Sequence, residues 1–130
     1  MLTKLGHIDE ITEKIIGCAI KIHSKLGPGL LESTYQECLY YELIQLKMIV
    51  EKQKALPLLY ENVKLECGYR IDLLVEDCVV VEIKSIEELA PIHISQTLTY
   101  LKLSDNKVGL LINFNVVKLK DGLKRVVNGY

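Results

Sequence analysis

Asp72, Glu82 and Lys84 have the residue types and the spacing for metal-assisted hydrolysis. They lie in Tyr69-Arg70-Ile71-Asp72-Leu73-Leu74-Val75 and Val79-Val80-Val81-Glu82-Ile83-Lys84, two strongly apolar runs separated by Glu76-Asp77-Cys78. If those three residues form the loop of a hairpin, Val75 stands opposite Val79, and counting outward sets Asp72 opposite Glu82. Alternation along the strand puts Lys84 on the same face. A two-residue loop would shift the register by one and send the two acids to opposite faces. Cys78 suits the left-handed position of a three-residue hairpin poorly, so the pairing hangs on loop length.

Two carboxylates about 4 Å apart repel by about 4 kcal/mol at an effective dielectric near 20. A divalent cation relieves that repulsion while keeping both acids ionised; Mg²⁺ or Mn²⁺ prefers hard oxygen ligands, and the Ile83 carbonyl could add one. Lys84 offers partial relief without a metal. In a nuclease it would orient or deprotonate the attacking water and offset phosphate charge. The plain alternative is a solvent-exposed face on which Lys84 forms an ordinary ion pair, a pattern common by chance.

Further along, His93, Gln96 and Tyr100 fall at helical spacing on one face, and Ile94, Leu98 and Leu101 on another. Gln96 could hold a phosphate, a base edge or a catalytic water, and Tyr100 could bond a phosphate or pack beneath the acids. Glu32, in the first turn of an expected helix, would equally sit well in that helix's dipole.

The elements that must position these residues follow from periodicity. Ile8, Ile11, Ile15, Ile16, Ala19, Ile22 and Leu26 mark an amphipathic helix. Gly27-Pro28-Gly29 breaks it, and a second helix restarts near Leu30 and runs to about Lys47 on Leu31, Tyr35, Cys38, Leu39, Leu43 and Leu46. Short strand-like runs follow at Ala55–Tyr60, Val63–Leu65, Tyr69–Val75 and Val79–Lys84, with Pro57 marking the first as an edge or bulged strand. A third helix is expected from Glu88 to Leu103, then a strand at Val108–Phe114, then a short helix or turn at Lys120–Val127. The order suggests an α/β sheet with helices on its faces, in one domain spanning residues 1–130.

Composition bounds the function classes. An apolar fraction of 49% in 130 residues supplies one sizeable core, and 16 basic against 17 acidic residues give a formal charge of −1. That balance argues against strong non-specific nucleic-acid binding but leaves room for a local basic rim. Cys18, Cys38, Cys67 and Cys78 lack metal-site spacing and read as buried free thiols. No apolar run approaches the roughly 20 residues of a membrane span, and the start lacks a signal-peptide layout, so a cytoplasmic protein is expected.

With Gly29-Leu30-Leu31-Glu32-Ser33-Thr34-Tyr35 added to the acidic hairpin, the chain resembles the GxxExxY proteins of the PD-(D/E)XK nuclease superfamily. The resemblance continues through Pro91-Ile92-His93, Gln96 to Tyr100, and Gly109-Leu110-Leu111-Ile112-Asn113-Phe114, covering nearly the whole chain. It implies a restriction-endonuclease-like three-layer core: a central mixed β-sheet flanked by helices, with two N-terminal helices. It also implies Asp72 and Glu82 as metal ligands, Lys84 as catalytic lysine, and Glu32 as the helix-borne acid of the metal site. Gln96 and Tyr100 correspond to the QxxxY element of RecB-like members. No residue of that set is missing.

The expected function is Mg²⁺- or Mn²⁺-dependent hydrolysis of nucleic-acid phosphodiester bonds, with DNA rather than RNA as the expected partner and no membrane partner. The alternative is an inactive nuclease-fold module that binds nucleic acid or a protein. A third reading, a self-associating structural protein, would use an apolar edge strand such as Val108–Phe114. Sequence-specific cutting would call for a homodimer or a second protein, because no separate recognition domain is evident.

Overall fold

The computed structural model describes residues 4–129. Helix α1 (Lys4–Leu26) and helix α2 (Glu32–Gln45) come first, separated by the Gly27-Pro28-Gly29 turn. Strand β1 (Val50–Ala55), a small hairpin of β2 (Leu58–Tyr60) and β3 (Val63–Leu65), and strands β4 (Arg70–Val75) and β5 (Val79–Lys84) follow. Helix α3 (Pro91–Ser104) then leads to β6 (Val108–Asn113), a 3₁₀ turn at Leu119–Gly122, and β7 (Leu123–Val127).

The main sheet has five strands in the order β1-β4-β5-β6-β7, and β2-β3 forms a separate two-stranded sheet. β5 and β6 run parallel, with α3 as the crossover that parallel pairing requires; the other neighbours are antiparallel. The result is the expected mixed sheet flanked by helices. One face carries α1 and α2: Ile8, Ile11, Ile15, Ala19 and Ile22 from α1, and Tyr35, Leu39 and Leu43 from α2, pack on Leu73, Val81, Ile83, Leu110 and Ile112. The other face carries α3, where Tyr100 and Leu101 pack on Ile71, Leu74, Val80 and Val126. Burying an aliphatic side chain of this kind contributes about 1.5–3 kcal/mol, so both layers are anchored to β4 and β5 from either side.

Gly109 sets how closely α3 approaches. A methyl group there would stand 3.1 Å from Thr97 Cγ2 and 3.3 Å from the Val80 carbonyl oxygen. Thr97 is accordingly buried against the sheet, whereas Ile94, expected in the core stripe with Leu98 and Leu101, is 38% exposed.

Several local expectations change. Ala55–Tyr60 is not one strand: Ala55 ends β1, and Leu58 begins the hairpin after Pro57. β1 itself, Val-Glu-Lys-Gln-Lys-Ala, has no apolar alternation because it is an edge strand facing solvent, where charges discourage pairing with other chains. Lys120–Val127 is a 3₁₀ turn plus strand, because β6 offers an open ladder that the segment completes. β6 is thus interior, and its apolar run is core, not an edge available for self-association. Of the four cysteines, Cys18 is buried, Cys38 and Cys78 are partly buried, and Cys67 is exposed. Among the described residues no helix is long and apolar enough to cross a membrane.

Candidate active site

The β4–β5 hairpin fixes the two acids. Glu76 and Asp77 take left-handed backbone angles (φ 52° and 54°), and the Cys78 N–H donates to the Val75 carbonyl at 3.1 Å. Cys78 is therefore spared the left-handed position, and the loop has the three residues that pair Val75 with Val79 and Leu73 with Val81. The same count brings Asp72 and Glu82 to one level.

At that level the regular ladder stops, and the carboxylates take over. The Asp72 N–H donates to Glu82 Oε2 at 2.9 Å, and the Ile83 N–H donates to Asp72 Oδ2 at 2.8 Å. Each acid thus satisfies an N–H of the opposite strand that the opened ladder would otherwise leave unpaired. The interruption reaches β1 as well, where Lys52 pairs with Leu73 and Lys54 with Ile71, but Gln53 and Asp72 between them do not pair. Ile71 consequently packs toward α3 while Leu73 packs toward α1 and α2, a reversal of the alternation at Asp72.

Gln53 sits at φ 51°, a strained region for a residue with a side chain. Its amide Nε2 donates to Asp72 Oδ1 at 3.1 Å and to Gln36 Oε1 of α2 at 2.6 Å. These residues, with Glu32 and Ser33, line a cleft of about 390 Å³ beside Asp72. Strain concentrated at such a point is common where a side chain must be aimed.

Glu82 is only 4% exposed. Burial first, and the Asp72 charge second, push its carboxyl up to about 8; the hydrogen bond from the Asp72 N–H and the Lys84 charge pull the other way. Burial also raises Asp72, against the Ile83 and Gln53 hydrogen bonds and Lys84. At neutral pH the metal-free pair therefore retains a proton on Glu82.

The remaining residues approach from two helices. Lys84 Nζ lies 3.5 Å from Gln96 Oε1, and Gln96 Nε2 lies 3.4 Å from the Tyr100 hydroxyl, so α3 delivers both residues to the end of β5. Burial raises the Tyr100 hydroxyl, and the Glu82 and Asp72 charges push it further the same way. His93, on the same stripe, is engaged elsewhere: its Nδ1 accepts the Ala90 N–H at 2.8 Å and caps α3.

Glu32 opens α2, and its Oε2 accepts the Ser85 N–H at 3.2 Å, directly after Lys84. The turn before it needs left-handed backbone at Gly27 and Gly29 (φ 69° and 99°), which glycine adopts without penalty. Tyr35 pins that turn: its hydroxyl donates to the Gly27 carbonyl and accepts the Leu30 N–H, while its ring stacks on Phe114 at 4.4 Å. Ser85 Oγ adds a bond to the Leu30 carbonyl at 2.6 Å.

The donor set fits a hard cation. Strand geometry turns the N–H and C=O of one residue to the same side, so the Ile83 carbonyl, like its N–H, is directed toward β4 and Asp72. Two carboxylates and a carbonyl suit Mg²⁺, which keeps several waters and takes few protein ligands. Among the described residues no three His, Cys, Asp or Glu side chains gather as a ready cage, while Glu32 lines the cleft beside Asp72 and its charge acts on both acids. Gln53 and Ser85 escape the sequence reading: Gln53 is one neutral residue among Glu51, Lys52 and Lys54, and Ser85 acts through its backbone and its position after Lys84.

No curated protein and no solved structure matches the chain. A family model described as the PD-(D/E)XK nuclease superfamily matches residues 9–126, which include both acids, the lysine and all of α2 and α3. With that match over most of its length, the chain belongs to the PD-(D/E)XK nuclease superfamily.

Proposed function

We propose that the chain, a single nuclease-like domain of the GxxExxY group, is a metal-dependent nuclease that hydrolyses nucleic-acid phosphodiester bonds. The observation that carries this reading is the opened ladder, in which Asp72 and Glu82 meet at one level with Lys84 one alternation further along β5. Asp72, Glu82 and the Ile83 carbonyl would hold Mg²⁺ or Mn²⁺, which when bound supplies charge stabilisation and a more acidic water.

The other roles belong to the chain's own side chains. Lys84, steadied by Gln96, donates to the attacking water or to a non-bridging phosphate oxygen and offsets the charge that grows there. Tyr100, bonded to Gln96, limits how far that amide can turn. Glu32 faces the end of β5 from α2 and would serve as the helix-borne acid of the metal site, beside Asp72 in the shared cleft. Gln53 holds Asp72 in the orientation that leaves an oxygen lone pair free.

The test is cleavage of single- and double-stranded DNA and RNA with Mg²⁺ or Mn²⁺, alongside Asp72→Ala and Lys84→Ala. Loss of activity by roughly a hundredfold or more in each variant is expected. No cleavage of any substrate, together with no metal bound in calorimetry, overturns the proposal. Nucleic-acid binding that survives in both variants without cleavage by the wild type would instead mark a binding module.

A further inference from the structure

Beside the acid pair, on the α3 side, lies a second cavity of about 210 Å³ lined by Leu58, Tyr69, Gln96, Thr99, Tyr100 and Leu103. The hairpin residue Leu58 and the α3 residue Leu103 supply aliphatic walls. Tyr69 and Tyr100 supply aromatic ones, their ring centroids 6.3 Å apart and tilted by 57°. Tyr69 is 44% exposed, so its ring is presented at the mouth and not spent in the core. Polar groups are few: the Gln96 amide, which both donates and accepts, and the hydroxyls of Tyr69, Thr99 and Tyr100.

The cavity shares Gln96 and Tyr100 with the candidate active site, and Gln96 is also the residue within reach of Lys84. A group seated here is therefore attached, by way of one side chain, to whatever lies at the acids. We infer that the cavity is a subsite for one unpaired nucleobase of the substrate strand, next to the phosphate held at Asp72 and Glu82. This deepens the nuclease reading and rests on it for the identity of the ligand.

The chemistry favours this occupant. A nucleobase is flat, stacks on aromatic rings whatever its identity, and carries edge donors and acceptors for a single amide. A base inside a duplex is stacked and paired, and cannot enter without being extruded at a cost of a few kcal/mol. The formal charge of −1 also gives the chain no overall basic excess of the kind that favours a long duplex footprint. The substrate class that fits is single-stranded nucleic acid, or a frayed end.

Equilibrium binding tests this without cleavage. Oligonucleotides carrying 2-aminopurine, single-stranded and as blunt duplexes, are titrated with the wild type and with Tyr69→Ala and Thr99→Trp in Ca²⁺. The single strand should bind at least about tenfold more tightly than the duplex, with altered 2-aminopurine emission. Tyr69→Ala, which removes the stacking ring, and Thr99→Trp, which fills the cavity from an exposed position, should each weaken it roughly tenfold. Equal affinity for strand and duplex, or undiminished single-strand binding in both cavity variants, overturns the subsite. Single-strand binding that depends on Tyr69 in a protein that never cleaves would sink the nuclease reading and leave the subsite standing.

Discussion

Glu82→Gln keeps the volume of the side chain and an oxygen to accept the Asp72 N–H, but removes the ionisable group from the apolar strand. In metal-free protein the Glu82 carboxyl is raised from an ordinary 4.5 to about 8, with burial as the main cause, so the folded chain holds that proton more tightly than the unfolded one. The stability this contributes is fully present below about 4.5 and is lost as pH rises through about 8. The swing is on the order of 5 kcal/mol, large against the roughly 5–15 kcal/mol that a domain usually has in total. The variant has no such proton to lose. Urea unfolding with a chelator present, between about pH 5 and about pH 9, should show wild-type stability falling while the Glu82→Gln profile stays flatter. The variant should be the more stable protein at the alkaline end by several kcal/mol, on the order of the swing itself. Asp72 is raised too and remains in both proteins, so it tilts both profiles the same way and largely drops out of their difference. Parallel profiles for the two proteins would refute the argument, because they would mean that burial of Glu82 does not govern its ionisation.

Tyr35→Phe keeps the stack on Phe114 but leaves the Gly27 carbonyl and the Leu30 N–H without their partner; thermal melts should register a loss of about 1–3 kcal/mol. Gln53→Gly and Gln53→Ala both remove the amide that bridges Asp72 and Gln36, yet only glycine relaxes the left-handed backbone, so Gln53→Gly should unfold about 1 kcal/mol later than Gln53→Ala in denaturant. If Glu82 is a metal ligand as proposed, Mn²⁺ binding expels its proton, so below pH 8 affinity should rise nearly tenfold per pH unit, with about one proton released in calorimetry across buffers of different ionisation enthalpy.

The layers of the fold were legible where burial imposes a period. The stripe of α1, the spacing of Tyr35, Leu39 and Leu43, and the apolar runs of β4, β5 and β6 are demanded by the core they build. Where an element owes its existence to a neighbour, its residues carry little signal. β1 is polar because it faces solvent, and β7 is a strand because β6 has an edge to fill. The pairing of Asp72 with Glu82 followed from loop length alone, but the way it is achieved did not: nothing in residue order announces that carboxylates will replace ladder bonds. Tyr35 was visible as part of a motif and as a core position, whereas its hold on the Gly27 turn needed three dimensions. His93 went the other way, its helical spacing pointing to the site and its ring nitrogen committed to a cap.

The bond from Ser85 to Glu32 spans 53 positions of the chain, while those joining Asp72 and Glu82 to their opposite strands span 10 and 11. Contacts of such different range form at different stages of folding, because closing a longer loop costs more entropy. A nascent chain, or one whose helical layer has lifted away, can own the acid hairpin without owning Glu32 or the Leu30 turn. The two bonds at Ser85 therefore make completion of the site a report on completion of the fold. On the proposed nuclease reading, that dependence would withhold the complete site until the helical layer is in place.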